Sequence, residues 1–455
     1  MRRKRWLGMF SILLVLTLFA SACSGGKSES GGASPSSGEG GKNESGSPKQ
    51  ITLKFAGWEV SSLETESVKK GLELFMQQYP NIKVEYTTLP GGTNYITKIQ
   101  TLLAGNEAPD VFFLQSDYYR DFVKRDQLLD LTSYVQSDFS LDDMIPSALA
   151  ISEVDGKFYG IESCTVSPVL YYNKDIFDKA NLPYPPGNPN EAWTWDEFAE
   201  VARKLTIREG DRVTQYGVYG AEDYYMTLAL VMSNGGNWFT DDGTGPAVNT
   251  PEVIEVLEAI KRLRVEYGAS PEAKLLTNMG MSSSQMLQTG KIAMLINGSW
   301  ALQELSHMDF PVGVAVLPKF KEAVTHGQAH LHVASRNTKY PEEAWKLIKF
   351  LSSEEYQLQN VKEGLWMPNR ASLYTEEGVS KWLTEGVHPE GFKELIPYFV
   401  NAKVYSYATL GAGAQKISEN MTEELDKYFL VGQDVHTTVQ NMEKMIQDVL
   451  AKERT

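Results

Sequence analysis

Val111-Phe112-Phe113-Leu114, followed at once by Gln115-Ser116-Asp117-Tyr118, is the stretch that decides the fold of this chain. Four consecutive apolar side chains are typical of a strand that is buried on both faces, as in a parallel sheet covered by helices. Polar residues follow where this strand should end, and ligands of such sheets gather at the carboxyl ends of the strands. The stretch therefore predicts an α/β fold with a candidate binding edge at Asp117 and Tyr118.

The segments around this strand alternate between two periodicities. Ile51–Phe55 and Ile82–Tyr86 place apolar residues at every second position, as strands do, whereas Thr65–Gln78 and Asn94–Leu103 place them at helical spacing. Since strands and helices alternate, the first part of the chain predicts an α/β lobe.

The same alternation resumes after Tyr159. It predicts a buried strand at Val169–Tyr172, a helix at Trp195–Lys204 capped by Thr194 and Glu197, a helix at Pro251–Tyr267, a strand at Val312–Val316, a helix from Pro341 and a final helix along Val435–Val449. About 400 residues exceed what one hydrophobic core usually holds, so we expect two lobes.

The N-terminus predicts export and lipid attachment. Four basic residues lie in Met1–Arg5, and the apolar run Trp6–Ala20 has the length of a signal peptide rather than of a membrane span. Ala20-Ser21-Ala22-Cys23 resembles a bacterial lipobox, although that pattern prefers Leu where this chain has Ala20. We expect a signal peptide over residues 1–22, a lipid on Cys23, and a Gly- and Ser-rich disordered linker over residues 23–50.

The charge of the chain limits its binding partners, and its cysteine content limits its disulfide bonds. The predicted signal contains four of the 43 Lys and Arg residues. The remaining chain therefore has 39 Lys and Arg residues and 58 Asp and Glu residues, which gives a formal net charge of −19. Such a chain is not expected to bind nucleic acid. If Cys23 carries a lipid, Cys164 has no partner, so we expect no disulfide within one chain.

Seven short motifs then occur in order. They are Phe55-Ala56-Gly57-Trp58, Ala108-Pro109-Asp110-Val111-Phe112, Asp155-Gly156-Lys157-Phe158-Tyr159-Gly160-Ile161, Leu170-Tyr171-Tyr172-Asn173-Lys174-Asp175, Thr194-Trp195-Asp196-Glu197-Phe198, Gly290-Lys291-Ile292-Ala293-Met294 and Asn297-Gly298-Ser299-Trp300. Together they resemble the extracellular solute-binding proteins of the carbohydrate ABC-importer family, which includes maltose-binding protein. The resemblance covers Ile51 to about Lys452.

The resemblance implies a periplasmic-binding-protein-like fold of two lobes, each a mostly parallel sheet flanked by helices and each discontinuous in sequence. The N-terminal lobe is expected to comprise residues 51–160 and 312–352, and the C-terminal lobe residues 161–311 and 353–455. It also implies that a sugar, for which the number of aromatic residues suggests an oligosaccharide, is captured between the lobes by hinge closure and delivered to the membrane subunits of an ABC permease. We expect a monomer outside the cytoplasm, held to the membrane of a single-membrane cell by its N-terminal lipid.

A sugar site needs flat aromatic rings for the C–H faces and planar polar groups for the hydroxyls. The candidates are Trp58, Glu59, Asp117, Tyr118, Glu162, Trp238, Trp300, His330, Trp366, Tyr405 and Tyr407. Each also has a structural interpretation: Asp117 can cap a helix, Glu162 can be a solvated hinge carboxylate, and the aromatic residues can pack in the core or on the surface.

Other functions have weaker support. His330 and His332 share one face of a predicted strand, but no further ligands stand nearby, so we expect no metal and no cofactor. A secreted glycoside hydrolase would need two catalytic carboxylates, which an acidic chain offers everywhere without specificity. A non-sugar ligand and a surface adhesion module are the remaining alternatives, and we expect no catalytic residues.

Overall fold

The structure, a computed structural model, describes residues 49–453 except residues 60, 92, 273–279 and 411–412, and the side chains of Glu59 and Thr93 are also outside this description. The predicted signal peptide, the lipidation site Cys23 and the predicted linker up to residue 48 therefore lie outside the described residues. Within the described part, no helix is long and apolar enough to cross a membrane.

The strands in the described part are β1 (Ile51–Glu59), β2 (Ile82–Pro90), β3 (Val111–Gln115), β4 (Glu153–Val154), β5 (Lys157–Phe158), β6 (Gly160–Val166), β7 (Pro168–Asn173), β8 (Ile207–Glu209), β9 (Arg212–Tyr219), β10 (Ile292–Gly298), β11 (Val312–Ala315), β12 (His326–Ala334) and β13 (Lys403–Val404).

The α-helices are α1 (Ser62–Gln78), α2 (Thr93–Ala104), α3 (Ser116–Lys124), α4 (Thr132–Asp138), α5 (Pro146–Ser152), α6 (Lys174–Ala180), α7 (Trp195–Lys204), α8 (Tyr224–Ser233), α9 (Pro251–Val265), α10 (Ser283–Gln288), α11 (Ala301–Ser306), α12 (Pro341–Leu351), α13 (Glu354–Lys362), α14 (Glu376–Ser380), α15 (Ile396–Val400), α16 (Ala414–Asp426) and α17 (Val435–Glu453). A π-helical turn, Lys427–Val431, follows α16.

The first sheet has the order β13-β12-β3-β1-β2, and β6 also pairs with β12. Its centre is the predicted strand β3, which runs parallel to β1 and antiparallel to β12. Residues Val111–Leu114 of β3 are at most 4 % exposed, because helices cover both faces of the sheet. This sheet builds the first lobe.

The second sheet has the order β11-β7-β10-β9-β8. We predicted a mostly parallel sheet, but only the β9–β10 pair is parallel, whereas β7 runs antiparallel to both β10 and β11 and β8 antiparallel to β9. Continuous burial along β7 indicates a central strand with two covered faces, and that pattern carries no information about the direction of its neighbours.

The chain crosses between the sheets later than the sequence suggested. Strand β6 belongs to the first sheet and β7 to the second, so the first crossing is at Ser167 rather than at the predicted lobe boundary between residues 160 and 161. Strand β11 is still in the second sheet and β12 is in the first, which puts the second crossing at residues 316–325 instead of at the predicted boundary between residues 311 and 312. Helix α13 packs in the first lobe, where Gln359 Nε2 donates to the carbonyl of Ser67, so this lobe extends beyond residue 352.

Local sequence signals set several of these boundaries. The predicted capping box of α7 is present: the Thr194 hydroxyl accepts from the backbone N–H of Glu197, and the Glu197 carboxylate accepts from that of Thr194. Ser61 caps α1, which therefore begins three residues earlier than predicted. Cys164 is buried and has a free thiol.

Candidate functional site

A cavity of about 530 Å³ lies where the edges of the two sheets face each other. This volume falls within the roughly 300 to 1,000 Å³ of small-molecule sites. Its described lining residues are Trp58, Glu64, Gln115, Tyr219, Gly220, Glu222, Asp223, Tyr224, Tyr225, Met226, Ser270, Ser283, Leu295, Ile296, Asn297, Trp300, Gln328, His330, Trp366, Asp426, Phe429 and Leu430. Both lobes contribute, so the cavity is an interlobe cleft.

Trp58 and Glu64 form a connected pair on the first-lobe wall. Trp58 lies near the end of β1, and its indole Nε1 donates to Glu64 Oε1 at 3.0 Å. The Trp58 ring packs on Phe113 with the ring centroids 4.7 Å apart. Burial raises the pKa of Glu64 to about 7, against the partial compensation from the Trp58 hydrogen bond. The pair fixes the orientation of the indole towards the cavity.

Strand β12 supplies Gln328 and His330 to the same wall, because alternate residues of a strand point to one face. The His330 ring meets Trp58 edge-on at 5.5 Å and Trp366 edge-on at 5.4 Å. Burial, with His332 adding to it, lowers the pKa of His330 to about 3, so its imidazole is neutral at physiological pH. Its Nδ1 has no hydrogen-bond partner among the described residues and is available to a ligand.

The second-lobe wall is positioned by the start of α8. Asp223 caps this helix by accepting from the backbone N–H groups of Tyr225 and Met226 at 2.9 and 3.2 Å. The cap sets Tyr225, whose hydroxyl donates to the carbonyl of Val166 beside the first crossing. Tyr225 also packs against Trp300 with the ring centroids 5.7 Å apart. The aromatic surface of this wall is therefore tied to the connection between the lobes.

Gly220 explains how this wall reaches the cleft. It has φ of +105°, and a Cβ atom there would lie 2.0 Å from the carbonyl oxygen of Ile296. Since only glycine fits both conditions, the chain can turn directly from β9 over β10 into the loop that carries Glu222 and Asp223.

The π-helical turn closes the outer side of the cavity with Phe429 and Leu430. Arg264 connects this turn to the loop before α8, since its Nη1 pairs with Glu222 at 2.6 Å and its Nη2 donates to the carbonyl of Phe429. π-helical turns are frequent at functional sites. Here the turn brings an aromatic ring and an aliphatic side chain into the cleft.

The structure brings four of the predicted residues together at the cavity: Trp58, Trp300, His330 and Trp366. Asp117 and Tyr118 are buried behind this wall, with Asp117 accepting from the lining residue Gln328 at 3.3 Å. Burial raises the pKa of Asp117 to about 7. The side chain of Glu59 lies outside the described residues.

Trp238, Glu162, Tyr405 and Tyr407 are 0 % exposed and do not line the cavity, which differs from their predicted role as ligand contacts. Trp238 belongs to the core of the second lobe because the turn at Gly235, with φ of +85°, folds the chain inward. The rings of Tyr405 and Tyr407 stack on each other at 5.3 Å. Burial raises the pKa of the Glu162 carboxyl well above its usual range.

Sequence reasoning missed most of the polar lining. Glu64 lies in the first turn of α1, three residues after the cap Ser61, a spacing that indicates a helix start rather than a ligand contact. Asp223 followed by an apolar run is a readable helix cap, and Asn297 lies in one of the quoted motifs. Asp426 and Phe429 reach the cleft through tertiary contacts alone. In the described part of the chain no group of three His, Cys, Asp or Glu residues could hold a metal ion.

Sequence comparison with known proteins gives the family of this chain. Residues 61–358 match the family model for the bacterial extracellular solute-binding proteins. A putative binding protein of Brucella abortus is 25 % identical over 345 residues, covering 73 % of this chain and 78 % of the relative. The chain belongs to the bacterial extracellular solute-binding proteins, which confirms the predicted family.

Solved structures show the same fold. An ABC substrate-binding protein of Listeria monocytogenes in complex with cycloalternan superposes with a TM-score of 0.78 and 25 % identity, covering 89 % of this chain and 100 % of that one. A maltose-bound protein of T. maritima gives 0.74 and 23 %, with coverages of 88 % and 100 %. The two-lobed periplasmic-binding-protein-like fold is therefore confirmed, and the protein binds a solute outside the cytoplasm.

Proposed function

We propose that this solute-binding protein is the receptor component of an ABC importer and that it captures a saccharide in the interlobe cleft. The observation that carries the proposal is the composition of the cavity, in which three Trp residues from both lobes surround amide, hydroxyl, imidazole and carboxyl groups. The Listeria protein, which is described as an ABC substrate-binding protein in complex with cycloalternan, supports it further.

The three indoles suit the apolar faces of sugar rings. Trp58 and Trp366 flank His330 on one wall, while Trp300 lies against Tyr225 on the other. Aromatic faces cover C–H surfaces with little loss of rotamer freedom. A ring held between the walls would meet aromatic surface from both lobes.

The polar lining suits hydroxyl groups. Gln115, Asn297 and Gln328 offer amides, and the free Nδ1 of neutral His330 offers a single hydrogen bond. A buried polar group left without a partner costs about 1 to 3 kcal/mol. A ligand whose hydroxyls match these groups is therefore favoured over one that lacks them.

Capture would proceed by hinge closure at the segments where the chain crosses between the lobes, which include Ser167 and residues 316–325. A contact between the lobes supports this: Gln303 of α11 donates through Nε2 to the Ser67 hydroxyl of α1 at 3.0 Å. We propose that the ligand is released chemically unchanged to the permease, that the protein acts as a monomer, and that a lipid on Cys23 holds it to the membrane.

Calorimetry against a panel of mono- and oligosaccharides tests the ligand class, with indole fluorescence reporting closure. Trp58→Ala should weaken binding of the best saccharide at least tenfold, about 1.4 kcal/mol. Trp193→Ala is the matched control, because Trp193 is half-buried in the second lobe and does not line the cavity. Heat with peptides or metal ions but with no saccharide would overturn the ligand class, and a cleaved product after incubation would show an enzyme.

A further inference from the structure

The cavity wall carries charge of one sign. Its described lining residues include the carboxyl groups of Glu64, Glu222, Asp223 and Asp426 and contain no Lys or Arg. Glu64 accepts from Trp58, and Asp223 accepts from two backbone N–H groups of α8. The side chain of Asp426 makes no hydrogen bond or ion pair with the described residues, and it is exposed and lines the cleft.

Asp426 lies close enough to Glu222 and Asp223 for its charge to affect the pKa of both. Burial is the main cause that raises the pKa of Glu222 and of Asp223, and the charge of Asp426 adds to it in both cases. Arg264, which pairs with Glu222, is the nearest cation, and it is 10 % exposed behind the carboxylate. One cation, Arg264, stands against the three carboxyls of Glu222, Asp223 and Asp426, so this part of the cavity has an excess of negative charge when they are ionised. Because burial raises the pKa of Glu222 to about 7, Glu222 supplies only part of its charge near neutral pH.

The other neighbouring cations are engaged elsewhere. Lys261 stands with its ammonium group over the ring of Tyr428, 4.0 Å from its centroid. Lys427 pairs with Glu423 at 2.8 Å and with Glu424 at 2.7 Å. Neither residue lines the cavity.

This arrangement discriminates between ligands by charge. An anionic ligand would lose hydration on entering the cleft and would meet carboxylates without a facing cation. A ligand amine would instead meet carboxylate oxygens and the aromatic lining residues Phe429 and Tyr224, a combination that favours cations. Polar groups of an uncharged sugar can donate to the same carboxylates.

On the basis of the proposed saccharide-receptor function, we infer that the cavity selects uncharged or amine-bearing saccharides and rejects anionic ones, such as phosphorylated sugars or uronic acids. The carboxyl cluster at Glu222, Asp223 and Asp426 is the element that imposes this selection.

The test uses probes that differ at one terminal carbon and chiefly in its charge. From each of maltotriose and cellotriose, three open-chain derivatives are prepared: the neutral alditol, the aldonate and the 1-amino-1-deoxyalditol. Calorimetry on the whole protein should show the aldonate binding at least tenfold more weakly than the alditol, and the amine binding as tightly or more tightly. An aldonate that binds as tightly as the alditol refutes the inference and leaves the saccharide function intact.

Asp426→Asn then locates the effect. This change removes one charge from the cluster at nearly constant shape, so it should reduce the aldonate penalty about threefold, as should high salt. Asp448→Asn is the control, since Asp448 is exposed on α17 and does not line the cavity. Equal penalties in both variants would show that the cluster does not set the selection. If no saccharide of any charge binds, the proposed function is refuted and this inference falls with it.

Discussion

Glu64→Gln should make the stability of the protein less dependent on pH. Glu64 is 6 % exposed, and burial raises its pKa from 4.5 to about 7. Because the folded state holds the proton more tightly than the unfolded state, this carboxyl contributes its full stability below about pH 4.5 and loses it as the pH rises through 7. A pKa difference of about 2.5 between the folded and the unfolded state corresponds to roughly 3 kcal/mol in the free energy of unfolding.

Glutamine keeps an oxygen that can accept from Trp58 Nε1, and it has no charge to bury. The variant should therefore match the wild type near pH 4.5 and exceed its stability by roughly 3 kcal/mol at pH 8. With an unfolding entropy of about 2.1 cal/mol/K per residue over about 400 residues, this difference raises Tm by about 3 to 4 °C.

Differential scanning calorimetry between pH 4.5 and 8 measures the effect. Glu66→Gln provides the matched control, because Glu66 is on the same helix and exposed, and its curve should follow that of the wild type. If the Tm difference between Glu64→Gln and wild type stays constant across this range, the carboxyl is hydrated in solution and the reasoning about its burial is refuted.

Three further changes separate packing from binding. Trp238→Ala should lower the free energy of unfolding by about 3 to 5 kcal/mol, measured by chemical denaturation. The folded variant should keep its saccharide affinity, measured by calorimetry. A loss of affinity without a loss of stability would instead place Trp238 at the ligand. Ser67→Ala removes the acceptor of Gln303, so ligand dissociation measured by stopped-flow fluorescence should accelerate about three- to tenfold, and an unchanged rate would contradict a role for this contact in closure. Arg264→Gln leaves Glu222 without its ion pair and frees the carbonyl of Phe429, so the dissociation constant should rise about tenfold, whereas wild-type affinity would show that the π-helical turn does not form part of the site.

The sequence predicted many helices and strands of both lobes well because their signals are local. Uninterrupted apolar residues mark β3 as a covered strand, and Thr194 with Glu197 marks the start of α7. The motifs identified the family, and with it the crossing of the chain between two lobes. The exact crossings were wrong by several residues, because β6 and β7 are separated by Ser167 alone and read as equally buried strands.

The ligand site was only partly predictable, because many of its residues meet through contacts between distant parts of the chain. Trp58 follows the register of a strand, so its place near the end of β1 could be inferred. A tryptophan after a glycine-rich turn can point outward or inward, and Trp238 points inward. Glu222 and Phe429 lie about two hundred residues apart in sequence and are joined through Arg264, a contact without any local periodicity.

The position of strand β12 in the chain affects how the first sheet can form during synthesis. The strand lies between β3 and β6 in the first sheet. In the chain, however, its residues His326–Ala334 come after every described strand of the second sheet. Until this segment has emerged, β3 and β6 lack a shared partner, and a truncated N-terminal fragment would present open strand edges that invite aggregation. Completion of the first sheet therefore depends on a segment that is synthesised after most of the second lobe's sheet.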